Sequence, residues 1–171
     1  LTPLEISQVQ ILTGYDPLTS TPVPSLPNSE EIEKAIADIG FFAEKSAEKG
    51  EVLFIDVRQL LTFNYIPQVP LVPEYEKKRM MEASLIGDAA YFSSYYEDLA
   101  NHRFSLIITE PLKITLKNDG SIFSEEGDSW ARWVAVPTLC FYEPIADYKS
   151  VYVQILVPRH EPRDCSAYLN Q

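Results

Sequence analysis

Gly50-Glu51-Val52-Leu53-Phe54-Ile55-Asp56-Val57-Arg58 is the stretch that decides the fold. Its centre, Val52 to Ile55, is apolar without alternation. Such a run reads as a strand buried on both faces, the pattern of parallel sheets. Gly50 ends whatever precedes it, and Asp56 and Arg58 put charge at the exit.

Upstream, Asn28 and Glu31 have capping-box spacing, and Glu30 and Glu31 suit the positive start of a helix. Ile32, Ala35, Ile36, Ile39 and Ala43 then recur with the helical period, up to Gly50. Residues 1–27 differ: they hold five of the 13 prolines and many Thr and Ser. Proline fixes φ and removes a donor, so we read 1–27 as an irregular lead-in and 28–171 as one domain.

Downstream, Pro67, Pro70 and Pro73 mark 66–73 as a loop. Glu74 to Ile86 reads as a helix with a charged face. Gly87 stops it and Asp88 caps a second helix, Ala89 to Ala100. Phe104 to Thr109 is a second buried strand. Lys113 to Phe123 reads as a hairpin around Asn118-Asp119-Gly120. Asp128 to Val136 reads as a helix ended by Pro137, and Val151 to Val157 as the last strand. Strands separated by helices imply crossovers. The expectation is an α/β domain in three layers, with a mostly parallel sheet of three to five strands.

Composition narrows the function. The 171 residues carry 14 Lys and Arg against 25 Asp and Glu, a net charge of −11. That charge repels phosphate backbones, so no nucleic-acid partner is expected. Hydrophobic residues at 46% and charged residues at 23% describe a folded chain rather than a disordered one. No apolar run reaches the roughly 20 residues of a membrane-spanning helix. The chain starts at Leu1 without Met, which we read as a cut: a processed protein, or a domain excised from something longer.

Ligands of open parallel sheets sit beyond the carboxyl ends of the strands. Asp56 and Glu110 are predicted there. Paired carboxylates hold a divalent ion or move protons, and equally serve as caps and loop anchors. Phe54 to Arg58 resembles the nucleophile strand of haloacid-dehalogenase-type phosphatases, but that family needs a second Asp where Arg58 stands. No phosphate loop, dinucleotide fingerprint, nucleophile elbow or zinc spacing is present. Neither cofactor nor metal is therefore expected.

The binding candidates are Asp56, Arg58, Glu76, Lys77, His102 and Glu110. Arg58 suits a phosphate or carboxylate, or an ion pair with Glu76 or Glu110 that pins the loop. His102, between Asn101 and Arg103, is a base or a surface cap. Tyr91, Phe92, Tyr95, Tyr96, Trp130 and Trp133 form a sugar-stacking platform or, at helical spacing, a core. Cys140 and Cys165 form one disulfide or remain two thiols.

Four stretches carry a resemblance: Gly50 to Asp56 continuing into Arg58-Gln59-Leu60-Leu61; Val69 to Lys78; His102-Arg103-Phe104 leading to Ile108-Thr109-Glu110-Pro111-Leu112; and Leu139 to Pro144 followed by Leu156-Val157-Pro158-Arg159. Together they resemble the soluble C-terminal domain of large polytopic bacterial membrane proteins of the GT-C glycosyltransferase type. The resemblance implies an extracytoplasmic domain at a membrane, partnered by the transmembrane portion of its own parent. It implies that the catalytic acid lies in that portion, so no catalytic residue falls on this chain. The domain would bind a sugar or lipid-linked sugar, cover the active site, or hold a partner. The alternatives are a stand-alone soluble binding module, or a small metal-dependent α/β hydrolase using Asp56 and Glu110.

Overall fold

The computed structural model describes residues 28–67, 69–117 and 124–165. The lead-in 1–27 lies outside them, and so does 118–123 of the hairpin expected over 113–123; residues 113–117 form no strand.

Helix α1, Ser29–Ala47, begins where its cap places it: the Asn28 side chain accepts the Glu31 amide at 2.8 Å. Ala35, Ile39 and Ala43 are buried at four-residue spacing. Gly50 then passes close to Ser105, since a Cβ there would lie 3.3 Å from Ser105 Cβ.

Strand β1, Glu51–Phe54, and the short helix α2, Gln59–Thr62, follow. Helices α3, Lys77–Ile86, and α4, Ala89–Ala100, form the crossover to β2, Phe104–Thr109. Helix α3 starts three residues later than expected. Gly87 ends it in the left-handed conformation, and Asp88 caps α4 by accepting the Tyr91 amide.

The sheet order is β1-β2-β4-β3, with β3 spanning Tyr142–Tyr148 and β4 spanning Val153–Pro158. Only β1 and β2 pair in parallel, with Val52 opposite Leu106 and Phe54 opposite Ile108. The β2–β4 and β3–β4 pairs are antiparallel. The expectation of a mostly parallel sheet is thus wrong; the domain is α/β with a mixed, mostly antiparallel sheet. The cause is β3. Its Glu143-Pro144 looks like a strand end, yet an edge strand tolerates proline, and the ladder is irregular between Pro144 and Ala146. A hairpin through 149–152 then returns β4 antiparallel to β2.

The two-sided burial of the apolar run holds. Leu53, Ile55, Ile107 and Leu156 pack with Met80, Phe92, Tyr95, Leu99 and Val134. Val52, Phe54, Leu106, Ile108 and Ile155 pack with Ile39 and Ala43 of α1. The aromatic set is core rather than platform: Phe92 and Tyr95 are fully buried, and Tyr91, Tyr96, Trp130 and Trp133 pack against them.

Pro137 does not end its helix. Helix α5, Ser124–Trp130, passes through a π-helical turn, Ala131–Ala135, into α6, Val136–Phe141. Proline at 137 lacks the amide that would bond the Trp133 carbonyl and would crowd it. The π turn widens the helix there, and the Tyr96 hydroxyl donates to that carbonyl at 2.9 Å.

Candidate functional site

Five of the six candidates gather beyond the carboxyl ends of β1 and β2. Lys77 opens α3, and its amide bonds the Ile55 carbonyl at 3.1 Å. That places its ammonium 2.5 Å from Glu110 Oε1 and 3.1 Å from Asp56 Oδ2. Asp56 Oδ2 is closed off from solvent, and its contact with Lys77 is an ion pair without hydrogen-bond alignment.

The electrostatics follow from burial. Desolvation raises the Asp56 carboxyl above its usual range, against the pull of Lys77. Repulsion from Glu110 adds to the rise. Burial would lower Lys77, but its two carboxylate partners outweigh it and hold the ammonium above its ordinary value. Lys77 is therefore a fixed cation and a poor nucleophile. It also occupies the place where a divalent ion would bridge Asp56 and Glu110. Among the described residues, no group of three or more His, Cys, Asp or Glu is arranged to hold a metal.

Arg58 serves the backbone. Its Nε donates to the Phe54 carbonyl at 2.8 Å and its Nη2 to the Val72 carbonyl at 2.6 Å. Glu76, half exposed, stands 4.0 Å from Nη1. The loop-pinning role holds, with carbonyls rather than a carboxylate as main partners. Burial lowers the Arg58 pKa, and Glu76 opposes that.

His102 does not join this group. It sits before β2, whereas Glu110 follows it, so the strand's full length separates them. It is exposed, in a left-handed turn with φ of 50°, its ring edge-on to Tyr142 at 6.1 Å.

Two features escape sequence reasoning. Val57, between Asp56 and Arg58, has φ of 48°, a strained conformation for a β-branched residue. No residue type signals it; glycine would be the expected occupant. At the opposite end of the sheet, Arg103 binds Asp98 at 2.8 Å, Glu51 at 3.0 Å and Glu74 at 3.3 Å. Tyr75 donates to Asp98 at 2.7 Å. That network ties the start of β1 and the end of α4 to the lead-in of β2.

Cys140 and Cys165 form a disulfide, with Cα atoms 6.0 Å apart. It fastens the chain after β4 onto α6, where the Arg163 amide also bonds the Cys140 carbonyl at 2.8 Å. Comparison with protein families, curated proteins and solved structures returns no match to this chain.

Proposed function

We propose that this chain is a non-catalytic, extracytoplasmic domain of a membrane protein of the glycosyltransferase type. There it helps hold a sugar or lipid-linked sugar against the transmembrane portion of its parent. The observation that carries the location is the Cys140–Cys165 disulfide, since such bonds persist in oxidising compartments. The non-catalytic character is supported by the Asp56–Lys77–Glu110 cluster, in which both carboxylates are engaged by one ammonium, and the parent type by the resemblance of the four stretches. We read the helices on the two sheet faces as a three-layer arrangement. No described helix is long and apolar enough to cross a membrane, so anchorage is assigned to the rest of the parent.

The test is to express the complete coding sequence that contains this chain and to fractionate the cells. Recovery of the chain in the membrane pellet, resistant to salt extraction, is expected. A freely soluble product would sink the membrane reading and leave a stand-alone module.

A further inference from the structure

Gly40 stands in the middle of α1, where glycine weakens a helix. Packing does not require it: a Cβ at this position would meet Ile66 Cγ1 at 3.6 Å, an ordinary contact. What the missing side chain leaves is the floor of a groove of about 460 Å³, shared with Ala37. Phe41 and Tyr65 wall it, 62% and 64% exposed. Glu33 and Glu44, the first and last α1 residues that line it, are both exposed. Among the described residues neither carboxylate is salt-bridged, and none of those that line the groove is Lys or Arg.

We propose that this groove binds a linear polyamine, an alkyl chain with ammonium groups at both ends and along its length. The two glutamates are eleven residues apart on one helix, roughly 16 Å at 1.5 Å per residue. A fully extended tetraamine spans that distance. The aromatic walls between them suit the methylene chain, and their π faces attract the inner ammonium groups. The carboxylates repel phosphates and acidic sugars, which sets the sign of the ligand. This inference stands apart from the assignment to a membrane parent and survives its failure.

The test is calorimetric titration of the 171-residue chain with spermine at about 0.15 M salt, where loose surface attraction is screened. Saturable one-to-one binding is expected. Gly40→Leu, Tyr65→Ala and the pair Glu33→Gln with Glu44→Gln should each weaken it by about tenfold or more. Melting temperatures no lower than wild type, and raised for Gly40→Leu because it removes a mid-helix glycine, separate lost binding from lost fold. The charge-matched pair Glu97→Gln with Glu125→Gln should leave affinity unchanged. Absent saturation, equal affinity in the groove variants, or full displacement by equimolar Mg²⁺ would overturn the proposal. So would binding of a lysine-rich peptide where spermine fails to bind.

Discussion

Lys77 and Asp56 meet at 3.1 Å because the first residue of α3 is bonded through its amide to the last turn-facing carbonyl of the β1 exit. The crossover between the two parallel strands is thereby locked to both strand ends, since Lys77 also reaches Glu110. Replacing the ammonium leaves two carboxylates facing each other. Lys77→Met is expected to cost about 1–2 kcal/mol in urea unfolding, below the 3–5 of a fully buried pair, because water screens a side chain that is 35% exposed. Adding Asp56→Asn to that variant should recover part of the loss.

The same cluster fixes a pH dependence. Asp56 is raised in the folded chain by burial, so the fold holds its proton more tightly than the unfolded chain does. Its ionisation therefore works against the fold, starting above the ordinary value of 3.8 and complete once pH passes the raised folded value. Asp56→Asn removes this opposition. Measured by denaturant unfolding, its stability relative to wild type should be most favourable near pH 7 and should decline as pH falls toward 4.

Arg58 satisfies two carbonyls with a planar fork. Lysine has one donor point and cannot span both. Arg58→Met is expected to lower stability by about 2 kcal/mol, the cost of leaving acceptors without donors, and Arg58→Lys should recover less than half of it.

The aromatic layer sets the alkaline limit. Burial raises the hydroxyls of Tyr75, Tyr95, Tyr96 and Tyr142 well above the ordinary 10.0, and pushes Tyr91 up to about 12. Groups raised in this direction support the fold fully below pH 10, and that support is lost as pH climbs through the folded values. Stability should hold to about pH 10 and fall above it. Tyrosinate absorbance at alkaline pH should then appear together with the loss of helical circular dichroism, rather than before it.

Much of the fold was legible because local signals agreed with packing. Asn28, Gly87 and Asp88 sat at real helix boundaries, and the unbroken apolar runs of β1 and β2 were buried on both faces as read. What failed had no local signature. The Glu143-Pro144 pair marks a strand end as often as an edge strand, so β3 was missed and the sheet's direction with it. Pro137 reads as a stop unless one knows that a π turn precedes it and that Tyr96 caps the freed carbonyl. At the site, strand-end position sufficed to bring Asp56, Arg58, Glu76, Lys77 and Glu110 together. His102 was misplaced because its strand was read correctly but its end was not weighed. Gly40-Phe41 did carry a signal, a glycine and an aromatic out of phase with the buried stripe of α1.

The disulfide bears most directly on the central claim. It closes a segment with a sequence separation of 25, worth roughly 3.5 kcal/mol in the chain-entropy picture. The decisive measurement is thiol trapping in the native host: acid quench, alkylation without reductant, and intact-mass or gel-shift readout of this chain. An extracytoplasmic domain predicts that neither Cys140 nor Cys165 is labelled until reductant is added. Prompt labelling of both in the unreduced sample would place the chain in a reducing compartment and contradict the account.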